Sequence, residues 1–160
     1  MKHHHEIEIK LLTDCREHIP VLADLWYEGI SKQWVPNASV DRAKQALHEH
    51  LHHDQMPLTL VAVINGKAVG MASLRENDGI RSDLFPWLGS LVVHPEHQRQ
   101  KVGEKLIDSI KNQARVLGHK ELYLLAFDVT IPGWYSRLGW NTIGDDHLFD
   151  HPVVVMRTDI

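Results

Sequence analysis

Charged and apolar residues alternate over positions 6–11 (Glu-Ile-Glu-Ile-Lys-Leu), the pattern of a strand with one buried face. The spacing then changes. Ile19, Leu22, Leu25 and Trp26 share one helical stripe, and Thr13 or Asp14 supplies the cap of a helix running to about Gly29, with Pro20 inside it as a kink or break. Ser39 caps a second predicted helix to about His53 that turns Val40, Ala43, Leu47 and Leu51 inward. Two apolar runs, 58–64 and 68–74, flank Asn65-Gly66, a dipeptide suited to a two-residue hairpin turn. A polar stretch over 76–86 leads to a third apolar strand, 87–93. Helical spacing returns over 101–117, with Val102, Leu106, Ile110 and Leu117 near one face and Gly118 as the terminator. A strand at 121–127, a short helix at 132–138 ending at Gly139, and an antiparallel pair at 140–144 and 153–158 complete the order β-α-α-β-β-β-α-β-α-β-β. The strand–helix–strand unit from 87 to 127 predicts a right-handed parallel crossover within one α/β domain.

Composition narrows the class. A chain of 160 residues holds one domain with a real core and is short for two, so 1–160 reads as a single domain. Hydrophobic residues at 43% and charged residues at 24% are those of an ordinary globular protein. A formal charge of −4 argues against general attraction to nucleic acid. No apolar run reaches membrane-spanning length, the N-terminus lacks the apolar core of a signal peptide, and the lone Cys15 excludes an internal disulfide; a cytoplasmic chain is the expectation. The His3-His4-His5 run is tag-like, native or appended.

The candidate chemistry concentrates between Leu91 and Gly103. Leu91-Val92-Val93 ends a strand, Pro95 stops it, the basic run Gln98-Arg99-Gln100-Lys101 follows, and Val102-Gly103 opens a helix. A helix start leaves backbone N–H groups unpaired and carries partial positive charge, so it suits a phosphate. By composition alone the polar run also fits a solvated turn. Pro95 and Gly103 favour the phosphate reading, with N–H groups from Arg99 to Gly103 as holders and Arg99, Lys101 and Lys105 adding charge.

With those elements placed, the chain resembles the GNAT superfamily of acetyl-CoA-dependent N-acetyltransferases. Two segments carry the resemblance. Gln98-Arg99-Gln100-Lys101-Val102-Gly103, followed by Leu106-Ile107, matches that family's Gln/Arg-x-x-Gly-x-Gly/Ala pattern before a leucine-rich helix. Trp134-Tyr135-Ser136-Arg137-Leu138-Gly139-Trp140 is similar to its aromatic-Tyr-x-x-Leu-Gly-aromatic segment. Lys101 departs from the pattern, standing where the first glycine usually is, and Asp128 replaces a common asparagine near the pantetheine arm. The resemblance implies a mixed, mostly antiparallel sheet of about six or seven strands with helices on both faces and a splayed parallel pair at the cofactor site. It implies acetyl-CoA as cosubstrate, without a metal, and a small-molecule or peptide amine as acceptor. It gives Val93 the backbone pairing with pantetheine, Leu91 the N–H facing the developing oxyanion, and places Val92, Trp134 and Tyr135 at the cofactor. A homodimer stays open.

Acetyl transfer to an amine needs a held thioester, a stabilised carbonyl oxygen, an unprotonated amine and a proton for the departing thiolate. By residue type alone Tyr135 packs with Trp134 and Trp140; the resemblance makes it the general acid, since a phenol with pKa near ~10 is protonated at neutral pH. No general base stands out: Glu28, Glu76, Asp83 and His147 are polar candidates, and water is a fifth. Glu28, Asp41, Asp78, Asp83, Asp145, Asp146 and Asp150 fall on the segments expected around the acceptor, which predicts an acidic rim and a cationic substrate. Lys101 and the missing base leave a second reading, an acyl-CoA-binding sensor of the same fold.

Other signals compete. His48-Glu49-His50-Leu51-His52 spells the H-E-x-x-H zinc pattern on a predicted helix, but Leu47 and Leu51 own the buried stripe and no zinc-protease continuation follows. Cys15 opens a predicted helix, which lowers a thiol pKa, yet nothing in sequence pairs with it. Trp26, Trp34 and Trp87 fit either core or pocket.

Overall fold

The computed structural model describes residues 6–160, so the His3-His4-His5 run lies outside the described residues. The strands are β1 (Glu8–Leu11), β2 (Leu58–Ile64), β3 (Lys67–Arg75), β4 (Trp87–Val93), β5 (Glu121–Ala126), β6 (Asn141–Leu148) and β7 (His151–Asp159). They form one seven-stranded sheet in the order β1-β2-β3-β4-β5-β7-β6, antiparallel except for the β4–β5 pair. β2 and β4 have the expected ends. Asn65 and Gly66 take φ of 51° and 77°, the left-handed pair that a tight hairpin requires.

The sheet is covered on both faces, and β2 shows why. Leu58, Leu60, Ala62 and Ile64 belong to the core under α4 (Val102–Val116) and α5 (Ile131–Arg137), while Val61 and Val63 point to the core under α1 (Ile19–Trp26) and α3 (Val40–Glu49). Every residue of β2 is buried, as a doubly covered sheet demands, and its one polar member, Thr59, bonds the Ser73 hydroxyl at 2.7 Å. Leu106, Ile107 and Ile110 fill the first core from α4, and Leu22, Ala23 and Leu47 fill the second from α1 and α3.

The N-terminal helix departs from expectation. Two 3₁₀ turns, Leu12–Asp14 and Arg16–His18, precede α1, and a non-helical residue, Cys15 (φ −150°, ψ 52°), separates them. Pro20 falls in the first turn of α1, where a missing N–H costs nothing, so it starts a helix rather than kinking one. Beyond α1 the coil widens into a π turn, Tyr27–Ser31, before α2 (Lys32–Trp34). A Cβ on Gly29 within that turn would come 2.6 Å from the Val92 side chain, so the widened segment lies directly against β4. α3 is capped as expected, with Ser39 Oγ accepting from the Arg42 N–H at 3.1 Å, but it stops at Glu49, short of His53. The last two strands are longer than their apolar runs, because β6 is an edge strand that keeps Asp145, Asp146 and His147 partly in water.

Leu106 is fully buried where α4 meets β3, beneath the phosphate-loop candidate. Leu106→Ala is expected to cost about 3 kcal/mol and to lower the thermal midpoint by about 6–12 °C in a melting experiment.

Candidate active site

β4 and β5 touch at one registered pair, Trp87 opposite Tyr123, and then diverge. The opposite edge of β4 explains the divergence. Val92 stands opposite Met71 and Gly89 opposite Ser73, so Ser90 and Leu91 fall outside the registered pairs with β3. Ser90 has φ of 52°. A bulge of this kind bends its strand and raises its twist. The gap opens into a cavity of about 1240 Å³, larger than the ~300–1,000 Å³ of a drug-sized site. Leu91, Val92 and Val93 line it, and so do Gln98, Arg99, Lys101, Val102, Gly103, Asp128, Trp134 and Tyr135. Gln100 and Lys105 do not line it; both are exposed.

An arginine that the sequence did not single out braces the bulge. Arg75, at the end of β3, donates to Asp78 Oδ1 at 2.8 Å, to Ser90 Oγ, and from Nε to His50 Nε2 at 3.2 Å. Its guanidinium carbon lies 5.4 Å from the centre of the Trp26 ring. Gly89 is required here, since a Cβ would meet Arg75 Nη1 at 2.5 Å. Burial, and then the Arg75 charge, pull the His50 imidazole down to about 4, so it is neutral and its Nε2 accepts. The proton therefore sits on Nδ1, which is buried with no hydrogen-bond partner among the described residues; the Ala46 carbonyl is the nearby backbone acceptor, outside hydrogen-bond geometry.

At the cofactor end, the first intrahelical bond of α4 runs from the Lys105 N–H to the Lys101 carbonyl at 3.1 Å. No side chain caps the helix, which leaves the N–H groups of Val102, Gly103 and Glu104 without intrahelical partners. Lys101 has φ of 64° and ψ of 18°, a left-handed position that a glycine fills without strain and a lysine holds at about 1–2 kcal/mol. Arg99 is left-handed too, at φ 66°. Gly103 has a packing reason: a Cβ there would sit 3.2 Å from the Trp134 ring, so the residue lets α5 approach the start of α4. The Val93 carbonyl accepts from Gln98 Nε2 at 3.3 Å. Asp128 Oδ1 accepts from the Thr130 N–H and hydroxyl at 2.9 and 2.7 Å, bonds that hold its carboxyl below the usual range and order the turn into α5.

Tyr135 is buried on α5, with Trp134 edge-on at 4.9 Å and Trp140 at 5.6 Å. Burial alone raises its hydroxyl well above the ordinary tyrosine value, so the group is neutral throughout the accessible pH range.

The acceptor side is less acidic than the sequence suggested. Glu28 and Asp78 line the cavity; Asp41, Asp83, Asp145, Asp146 and Asp150 do not. Glu28 pairs with Lys32 at 3.1 Å and Asp78 with Arg75. Of the other base candidates, Glu76 and His147 are exposed outside the cavity and Asp83 is held by Arg81 at 2.8 Å. Trp87 is fully buried core, whereas Trp26 and Trp34 line the cavity. Phe149 also lines it, from the two-residue turn between β6 and β7, where Phe149 and Asp150 take φ of 52° and 62°. A bulky residue held left-handed costs on the order of 1–3 kcal/mol.

Two competing motifs dissolve. α3 ends at Glu49, so His52 leaves the helix and bonds the Pro57 carbonyl at 2.8 Å, while His50 turns inward to Arg75; His48 and His52 do not share a helical face. Cys15 lies buried between 3₁₀ turns instead of opening a helix, and burial first, then the Glu17 charge, raises its thiol pKa.

Comparison with known proteins agrees with this geometry. Residues 23–140 match the model of the Acetyltransferase (GNAT) family. No curated protein matches the chain by sequence. Among solved structures, an aminoglycoside 6'-acetyltransferase type Ii is 18% identical with a TM-score of 0.74, over 95% of this chain and 96% of that one. A GNAT-family acetyltransferase from Staphylococcus aureus Mu50 is 18% identical with a TM-score of 0.73, over 96% and 99%. The N-acetylglutamate synthase of Neisseria gonorrhoeae, solved with coenzyme A and N-acetyl-glutamate, is 18% identical with a TM-score of 0.73, over 98% of this chain and 36% of that longer one. Likenesses at this identity establish the fold, and the match over 23–140 establishes the lineage: this chain belongs to the GNAT acetyltransferase family.

Proposed function

We propose that the chain transfers an acetyl group from acetyl-CoA directly to a primary amine, as a single-domain cytoplasmic enzyme. One observation carries the proposal: a continuous cavity joins the uncapped start of α4, the gap between β4 and β5, and the Tyr135 side chain. Acetyl-CoA supplies the thioester, whose C–S bond breaks as the amine nitrogen bonds to the carbonyl carbon. The N–H groups of Val102 and Gly103, with Arg99 and Lys101, hold the diphosphate. Val93 offers its backbone to the pantetheine arm, replacing the contact with Gln98, and Asp128 and Trp134 border the same channel. The Leu91 N–H, freed from the ladder by the bulge, faces the carbonyl oxygen as charge develops; one such donor is worth about 3–4 kcal/mol elsewhere. The nitrogen gives up a proton to water, and the sulfur takes one from the Tyr135 hydroxyl, which water restores. Of the lining carboxylates nearest the gap, Glu28 and Asp78 are held in ion pairs and Asp128 is hydrogen-bonded to Thr130, which supports water as the acceptor of the amine proton.

A free-thiol assay over a panel of amines tests the reading. Thiol release that depends on the amine is expected; acetyl-CoA binding with no release for any amine means a sensor instead. Tyr135→Phe is expected to lower kcat by about 100-fold or more with the acetyl-CoA Kd unchanged by calorimetry. Equal turnover would remove Tyr135 from the acid role. Because burial keeps the Tyr135 hydroxyl protonated, the wild-type kcat profile is expected to show no alkaline fall from this group below about pH 10. Lys101→Glu reverses a charge at the start of α4 and is expected to weaken coenzyme A binding about tenfold at low ionic strength, less in 1 M salt; an unchanged Kd would place the diphosphate elsewhere.

A further inference from the structure

The acceptor end of the cavity carries aromatic rings, and its Glu28 and Asp78 carboxylates are already ion-paired. Trp34 and Phe127 lie parallel, 5° apart in plane with ring centres 5.5 Å apart, and both line the cavity. His151 sets its edge against each of them, at 5.4 and 6.5 Å. The stacked pair leaves no slot between the rings, so an incoming ring packs on the outside of the pair rather than between its members. Neither ring is sealed in the core; both are half-buried. α2, which follows the π turn that lies against β4, carries Trp34, and Phe127 directly follows β5, so the pair stands beside the gap where the acetyl group is expected.

Phe149 is a second, independent sign. At Asn65-Gly66 this chain closes a two-residue hairpin with the residues that tolerate left-handed backbone. At the tip between β6 and β7 it closes the same kind of hairpin with Phe149-Asp150, and Phe149 remains 46% exposed at the cavity. Burial in the core does not compensate for that backbone strain. Retained strain at a cavity points to a role for the side chain there.

The charges argue in the same direction. Asp78 is tied to Arg75 and Glu28 to Lys32, whereas the lining Arg42 makes no ion pair among the described residues. A polycation finds Glu28 and Asp78 already matched by cations and Asp128 hydrogen-bonded into its own turn; a flat apolar body finds ring surface to pack on and water to displace.

We propose that the acceptor is a primary amine carried on an aromatic body, seated on the Trp34–Phe127 face beneath Phe149, and not a polyamine or an aminoglycoside. The proposal rests on the acetyl-transfer reading above and names its acceptor class.

The test compares initial rates of thiol release with 2-phenylethylamine and tryptamine against spermidine, kanamycin and an unblocked peptide. The aryl amines are expected to show kcat/KM at least about tenfold above the others, and Trp34→Ala to raise the tryptamine KM about tenfold while the acetyl-CoA Kd stays within twofold. Phe149→Asn gives a readout that survives any folding defect in Trp34→Ala: asparagine suits the left-handed turn, so the thermal midpoint is expected to rise while the tryptamine KM also rises. Preference for spermidine, kanamycin or the peptide overturns the proposal. So does a tryptamine KM that neither substitution moves. If acetyl-CoA binds and no amine on the panel reacts, the transfer reading itself fails and takes the acceptor class with it.

Discussion

β4 and β5 are parallel neighbours that hydrogen-bond at one place and then part, and every functional feature of this molecule depends on that parting. Strands in a sheet pair along their length unless something prevents it, because unpaired backbone groups away from water are costly. Here the bulge at Ser90 and Leu91 turns β4 away, and Arg75 fixes the bulge from behind by bonding Ser90, Asp78 and His50 together. In the proposed reading the separated edges of β4 and β5 take an extended polar ligand in place of a strand. The start of α4 and the Trp34–Phe127 pair both line the cavity that this gap opens into.

Strain collects along the same cavity. Ser90, Arg99, Lys101 and Phe149 all hold left-handed backbone that glycine or asparagine adopts more readily, and all four line it. A packed framework tolerates these positions: α4 and α5 meet through Gly103 and Trp134, and the fully buried Leu106 and Ile110 tie α4 to the sheet. Stability is drawn from the two cores and spent at the site, a division common in proteins whose function needs specific backbone geometry.

Much of this was legible in sequence where the signal is local. The largely apolar β2, the Asn65-Gly66 turn, the amphipathic α4 and the Ser39 cap each follow from neighbouring residues, and the pairing of the 98–103 and 134–140 segments points to the family. What escaped was non-local. Nothing near Arg75 in the chain announces that His50 and Ser90 will meet it, and the histidine run around His50 suggested a metal motif while one of its members was turning inward toward a guanidinium. The number of acidic residues on these segments does not say which of them face the cavity. The first helix is not separable in sequence into its parts because the hydrophobic stripe continues through 3₁₀, α and π turns, which differ in hydrogen bonding more than in pattern.

The decisive measurement is a crystal structure with coenzyme A bound. The diphosphate is expected at the N–H groups of Val102 and Gly103, the pantetheine arm between β4 and β5, and the sulfur within hydrogen-bonding distance of the Tyr135 hydroxyl. A cofactor lodged outside that gap, or a sulfur turned away from Tyr135, would contradict it.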